Sequence, residues 1–511
     1  MENPNFSLVR KILQSSKYAS QSANKKREIW SEIFRTGQVN QADLRKLITE
    51  EEERSKKQQT VNKQQTDQPI VKFLNSLDYN GFINFVVTGN IRGEKLLALC
   101  SGSEKLNAYC NQSLQVRNAQ GKAVGQPQDQ YLFRLLLQNM RIPIPFGKTP
   151  RKTYIDKTVG GVVLAFGYNR GGELGLGHNE VVVYQPTQIP SLNNIVQVSQ
   201  SGPTLFLDNQ GRVWVTGLDN GGQLGLGDHL DRNIPTLNPY LKNIVQVSGS
   251  LCLDNQGKVW AFGNNYIGEL GLGDVQNVNI PTMIPTLNNI VQISNNSEAS
   301  FYLDNQGRVW ACGLNERGQL GLGDGSGEYI RVPVLIPNLK DIVQVIAENH
   351  TLCLDKYGKV WSFGPNSGGS LGVGDYEDRN VPTLIPTLNN IIQVSVGITT
   401  SFCLDNQGRV WSFGDGQDAE LGFGDKIDRN VPEMIPNLFN IVEISSYGFD
   451  CLCLDNLERV WVFGMNREGG LGMGGVEDDE PQPIGIPTLN PYLNNIIHVT
   501  AGDSSFCIQR Q

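Results

Sequence analysis

Four groups of residues in this 511-residue chain have the types that could do chemistry, and their spacing decides each case. Gly147-Lys148-Thr149 has the ending of a phosphate-binding loop, in which backbone N–H groups cradle phosphate and the Lys neutralises it. That loop needs a Gly five positions earlier; Ile142 stands there, and Pro150 follows where a helix should begin. His178, His229, His350 and His498 are the residues a general base or metal site would use, but they share no spacing and complete no triad. Cys451 and Cys453 would share one side of a strand, yet no Cys-x-x-Cys pair or neighbouring His completes a zinc site. A calcium reading of the Leu-Gly-x-Gly-Asp segments needs a nine-residue period. Here the segments lie about fifty residues apart, and His178 and Gly475 replace the Asp in the first and last. No catalytic residue, metal site or cofactor is therefore expected, and the chain reads as a non-enzyme.

The same glycine segments instead describe a scaffold. A Leu-Gly-x-Gly core begins at Leu174, Leu224, Leu270, Leu320, Leu371, Leu421 and Leu471, at intervals of 50, 46, 50, 51, 50 and 50 residues. A long fixed period means stacked copies of one supersecondary unit. Ten residues before six of these Leu stands a Trp (214, 260, 310, 361, 411 and 461), with Leu164 in the first copy. One indole per unit reads as a core residue. Ahead of each Trp lies a turn such as Asp208-Asn209-Gln210-Gly211, repeated from Asp254, Asp304, Asp355 and Asp405, with Leu457-Glu458 replacing Gln-Gly after Asp455. Asp first and Gly fourth suit a type I turn followed by positive φ. Short β-prone runs flank it, another strand precedes it (Ile195-Val196-Gln197-Val198 and its copies), and Pro235, Pro281, Pro333, Pro382 and Pro432 mark an edge strand. Asp-Arg-Asn recurs at 231–233, 378–380 and 428–430 and reads as a loop brace.

The unit is thus a small antiparallel blade, and seven copies make a mainly β, seven-bladed propeller over residues 160–511. The first copy starts at about Val162, at the Trp-equivalent strand. Ile496 to Val499 and Ser505 to Ile508 supply its missing pair. One blade is therefore expected to join both ends of the ring, removing two open sheet edges.

The order Leu-Asp-x-x-Gly-x-Val-Trp, Phe-Gly-x-Asn, Gly-Gln-Leu-Gly-Leu-Gly-Asp resembles the regulator of chromosome condensation repeat. The resemblance covers 160–511 and implies a seven-bladed propeller used for binding, with guanine nucleotide exchange on a small GTPase as an alternative. That exchange activity is associated with a wedge-like insertion in one blade, for which this even period leaves no room. The family's frequent Gly-x-x-His is met here only at His350, so its contact residues are not carried over.

Charge is uneven. Residues 1–150 carry 22 Lys and Arg against 13 Asp and Glu, and residues 151–511 carry 21 against 38. An acidic ring is poorly suited to nucleic-acid phosphates. No apolar run reaches the ~20 residues a membrane span needs, and Met1 to Leu13 does not read as a secretory signal. Cys252, Cys353, Cys403 and Cys453 share one strand position and read as small buried residues of a reducing compartment, so an intracellular, cytoplasmic or nuclear location is expected.

Ahead of the ring, residues 1–54 read as a helical segment, 55–69 as a polar linker, 70–140 as a second helical segment with a polar loop, and 141–159 as a connector. Glu94 to Cys100 with Lys105-Leu106-Asn107 and Tyr109-Cys110 resembles an F-box core. That resemblance implies docking of a Skp adaptor of cullin ubiquitin ligases through Leu96, Leu97, Leu99, Leu106 and Tyr109. A small helical cap packing on itself fits the same residues.

In a repeat ring, binding is sought where copies differ. The loops after each blade's first strand differ most. Tyr447, Phe449, His350, Glu348, Glu298 and Asp503 are the expected contacts for a protein client; Tyr447 and Phe449 also suit packing against a neighbouring blade. The expected function is a non-catalytic interaction module.

Overall fold

The computed structural model describes residues 160–323, 329–474 and 482–510, with a short antiparallel pair, Val116–Arg117 and Ala123–Val124, nearer the N-terminus. That pair falls in the stretch read as a polar loop. The expected helices of 1–54 and 70–140, the 55–69 linker, the 141–159 connector and the five adaptor residues Leu96, Leu97, Leu99, Leu106 and Tyr109 lie outside the described residues. The chain divides into two compact units, and the ring occupies the second.

Seven four-stranded antiparallel sheets make that ring. Six are continuous in sequence. Blade one, for instance, is Ile195–Gln200, Thr204–Asp208, Val213–Gly217 and Arg232–Leu237. Blade seven joins the two ends: Ile496–Thr500 and Ser504–Gln509 pair with Val162–Tyr168 and then Val182–Gln188. The zip runs from Val162 opposite Gln509 to Gly167 opposite Ser504.

Burial explains the strand sequences. The second strand of blade five, Thr400–Asp405, is buried at every residue, because neighbouring blades cover both of its faces. Such strands read as continuous apolar runs. The fourth strands lie at the rim and tolerate the prolines, which cannot donate to a further strand.

Three devices hold the blades. The first is the turn. In blade five the Asp405 carboxylate accepts the amides of Gln407 (2.9 Å) and Arg409 (3.1 Å), Arg409 Nε (2.7 Å) and the Trp411 indole N–H (3.2 Å). Burial opposes the charge on the equivalent Asp304, but the amides of Arg308 and Gln306 and the Arg308 side chain outweigh it and hold that carboxyl below its usual range. Trp411 is half-buried beneath the Arg409 guanidinium, 5.7 Å from its ring centre. The repeated Trp is thus a cover over the turn rather than the deep core residue expected, because its N–H must reach the turn carboxylate. The deep aromatic layer is Phe166, Phe262, Phe363, Phe413 and Phe463, all fully buried.

The second device is the first Gly of the repeated motif. Gly372 has φ +66°, and a Cβ there would lie 2.7 Å from the Phe413 ring of the next blade. Only Gly satisfies both conditions.

The third device bridges inner strands. Gln344 in blade four donates through Nε2 to Val394 O (3.0 Å) and accepts from Val394 N through Oε1 (3.0 Å) in blade five. Gln197, Gln246, Gln292 and Gln393 repeat this pair of bonds. Around the closing blade the pattern changes: Thr500 of blade seven donates to Val198 O of blade one (3.2 Å), and at the seam between blades six and seven Glu443 pairs with His498. Arg510 adds an ion pair to Glu458 (2.7 Å) across the same seam. The Asp-Arg-Asn segments are braces, as expected: Asp378 accepts from Asn366 N (2.9 Å), and the neighbouring Arg379 pairs with Asp375 (2.5 Å).

Two substitutions test these devices by chemical denaturation of the full chain. Gln344→Ala removes both bonds between blades four and five and is expected to cost about 1–3 kcal/mol. Asp405→Ala strands two amides and an indole N–H, and is expected to cost about 2–4 kcal/mol.

Candidate functional site

The inner strands surround a central channel whose wall carries the bridging Gln side chains. At one end the loops between first and second strands gather around its mouth. Each loop is tied down by its own backbone or its neighbour. Ile398 N donates to Gly448 O (3.0 Å), linking blades five and six. Asn296 Oδ1 accepts the amides of Glu298 (2.9 Å) and Ala299 (2.6 Å), while its amide group donates to the Glu348 carbonyl of blade four. Asp503 O accepts from Tyr168 N (2.8 Å). The mouth is therefore held in shape before any partner arrives.

Five of the six expected contact residues meet there. Glu348 and Tyr447 line the channel end and are half-buried; Glu298 and Asp503 are exposed, and Phe449 is half-buried. They come from blades three, four, six and seven. Burial, then Asp503, then Glu298 push the Glu348 carboxyl up to about 7. Burial, followed by the charges of Glu348 and Asp503, also pushes the Tyr447 hydroxyl up. Although Asp503 is open to solvent on one side, the protein crowded around it still raises its carboxyl, which Arg467 partly offsets. The Arg467 guanidinium lies 5.5 Å from the Phe449 ring centre. Several carboxylates thus repel one another around a single nearby cation.

His350 does not belong to this surface. It is 1 % exposed, and its Nε2 lies 2.6 Å from Ser401 Oγ of blade five. The Ser401 hydroxyl donates to Ser370 O (2.8 Å), so the imidazole must donate through Nε2. Burial lowers its pKa to about 4, which keeps it neutral. The expected client contact is corrected to a bond between blades: its side chain turns into the ring, where a polar partner is waiting.

Other members of the mouth were not singled out from sequence. Asp450 occupies the strand position of His350, five residues before the turn Asp. Its Oδ1 accepts Asn466 N (2.8 Å). Burial pushes it up to about 7 against that bond, with Asp503 adding to the rise. Glu468 is raised by burial and then Asp503. A charge standing where the other copies carry Ala299, Thr400 or Ser504 was the available signal for Asp450. Among the described residues no three His, Cys, Asp or Glu side chains form a metal-binding group, and no helix is long and apolar enough to cross a membrane.

Comparison with known proteins agrees with this architecture. The RCC1-like domain model matches residues 248–508, and the regulator of chromosome condensation (RCC1) repeat model matches 160–202 and 210–250. The structure of human WBSCR16 is similar at TM-score 0.62 and 21% identity, covering 69% of this chain and 99% of that one. Yeast RCC1 (Prp20), solved bound to Kap60, gives 0.60 and 22%, covering 69% and 90%. Prp20p from Saccharomyces cerevisiae gives 0.61 and 23%, covering 69% and 93%. At these identities the structural likenesses establish the fold. Since the domain model alone spans more than half of its length, this chain belongs to the RCC1-like domain family.

Proposed function

We propose that the ring is a non-catalytic protein-binding platform and that its client presents a cationic segment to the channel mouth. The observation that carries this is the convergence of Glu298, Glu348 and Asp503 with Tyr447 and Phe449 from four separate blades. The raised carboxyls of Glu348 and Asp503, crowded together at a preformed mouth, are a costly arrangement. A Lys or Arg side chain relieves their repulsion, and the aromatic pair supplies contact area. A protein client also accords with the relatives: yeast RCC1 was solved bound to Kap60, and Prp20p has binding properties to Gsp1p and histones. The same mouth disfavours nucleic-acid phosphates.

The finer reading, that the chain recruits a cullin-type ubiquitin ligase, rests on the F-box-like residues Leu96, Leu97, Leu99, Leu106 and Tyr109 alone. Nucleotide exchange on a small GTPase is the alternative implied by the repeat family.

Binding of a Lys/Arg-rich peptide, followed by calorimetry, tests the mouth. Glu348 is neutral below its pKa of about 7 and charged above it. Affinity is therefore expected to rise about tenfold between pH 6 and pH 8 if ionised Glu348 is required. Glu348→Gln with Asp503→Asn should weaken binding and flatten that profile, and added salt should weaken it in the parent protein. Affinity unchanged by the substitutions would remove the mouth as the site. Retention of a Skp adaptor on the full chain, lost on Leu97→Asp with Tyr109→Ala, tests the ligase reading. Accelerated GDP release from a small GTPase would replace the passive platform with the exchange factor.

A further inference from the structure

We propose that Asp219 is held as a neutral acid in the folded ring, and that loss of its proton loosens the 219–232 loop of blade one. Two residues beyond the Gly that ends each third strand, five copies carry Asn: Asn169, Asn265, Asn315, Asn366 and Asn466. In each, Oδ1 accepts the amide of the motif Leu, at 3.0, 3.0, 3.1, 2.9 and 3.2 Å respectively. The amide nitrogen does the opposite work. Asn265 Nδ2 donates to Asp274 O and Oδ1, both at 3.1 Å. Asn366 Nδ2 donates to Asp375 O at 2.9 Å, and Asn169 Nδ2 to His178 O at 3.0 Å. The site thus requires an acceptor on one side and a donor on the other.

Asp219 stands in this position in blade one and is fully buried. Its Oδ1 accepts Leu224 N at 3.0 Å, as the Asn residues do. Its Oδ2 occupies the place of the donating nitrogen and has no hydrogen-bond partner in the protein. Asp228 fills the place of Asp274 and Asp375, so an acceptor faces an acceptor. A carboxylate cannot answer that arrangement; a carboxylic acid can, by donating its O–H where the amide donates N–H.

The surrounding charges do not supply a substitute. Arg232 is the nearest cation, and its Nη2 already pairs with Asp228 Oδ2 at 2.8 Å. Asp231 Oδ1 accepts the Asp219 backbone amide at 2.9 Å and adds negative charge. His229 is exposed on the same loop. From the preceding blade, Glu173 faces Asp231. The following blade presents Asn264, Asn277, Asn279, Ile280 and Phe262 to the loop's glycines and sets the Tyr266 phenol in one pocket with Gly221 and His229, while the Tyr240 hydroxyl meets Gly227; these two phenols are the further titratable groups. Burial raises the Asp219 carboxyl and Asp228 adds to it, against the lowering effects of the Leu224 amide, His229 and Arg232; the net direction is upward.

The sign of the pH effect follows. An acid whose pKa is higher in the folded state is best accommodated below its unfolded value, about 3.9 for Asp. That advantage is lost as pH rises through the folded value. One proton is involved, so the opening equilibrium of the loop can rise by up to about tenfold per pH unit between the unfolded and the folded value, and it levels off above the folded one.

Hydrogen exchange of the full chain between pH 4 and pH 8.5, corrected for the intrinsic rate at each pH, tests this directly. The peptide over 219–232 is compared with the equivalent 265–278 peptide of blade two. In the parent protein, protection of 219–232 should fall with rising pH, by up to about tenfold per unit, while 265–278 stays level. Asp219→Asn, which copies five sibling blades, should abolish that fall. Asn265→Asp should transfer it to the second loop. Identical pH profiles for the parent and Asp219→Asn would overturn the proposal. Recovery of the parent's protection at high pH by added calcium would overturn it too, since a cation rather than a proton would then fill the gap.

Discussion

No blade of this ring can bury both of its apolar faces by itself, and the bridges between inner strands turn that need into a closed structure. Each bridging Gln satisfies one N–H and one C=O of the next blade's innermost strand. Those groups line a channel and have no further strand beside them. Left without partners, they would carry the penalty of unmade hydrogen bonds. Five such bridges make the joints interchangeable. The seam between blades six and seven is different: the contact of Glu443 with His498 and the ion pair of Glu458 with Arg510 are peculiar to that joint. The C-terminal hairpin is therefore matched to blade six by charge and to Val162–Tyr168 by backbone pairing.

A rigid ring frees its loops to vary. The turn carboxylates, the motif glycines and the buried Phe layer are repeated almost unchanged, so sequence differences concentrate at the channel mouth. There the structure accepts an electrostatic cost: the enclosed Glu348 and Asp450 and the more exposed Asp503 and Glu468 are all raised by the protein around them, and Asp503 acts on the other three. Interloop bonds such as Ile398 to Gly448 hold these groups in place, so a partner need not order them. Repulsion kept in a preformed site is the usual exchange of stability for binding.

Much of the scaffold was legible because its signals are local. The Asp-to-Gly turn, the edge prolines and the closing strands all lie within one repeat or its obvious complement. Two readings failed for the same reason. An indole's size points to the core, but the partner of the Trp411 N–H, a carboxylate six residues earlier, draws the ring to the blade's border. The place of His350 beside a variable loop points to a client contact, but its partner, Ser401, belongs to the next blade. The bridging Gln went unremarked although they recur at 197, 246, 292, 344 and 393. A polar residue in an otherwise apolar strand was the signal, and Glu443 and His498 in the last two places were its exceptions.

By itself, the sequence determined the number of blades, the strand order within them and the use of both termini in one blade. These follow from period and turn chemistry, which act over a few residues. Tertiary structure decided which side chains meet. Glu298, Glu348, Tyr447 and Asp503 are separated by about fifty residues or more, and three-dimensional closure brings them to one opening. The state of Asp219 is likewise a matter of its surroundings: the residue type is plain in the sequence, but only the folded loop sets its second oxygen against an acceptor. Periodicity describes how each unit is built, whereas convergence depends on how units turn and pack around a common axis.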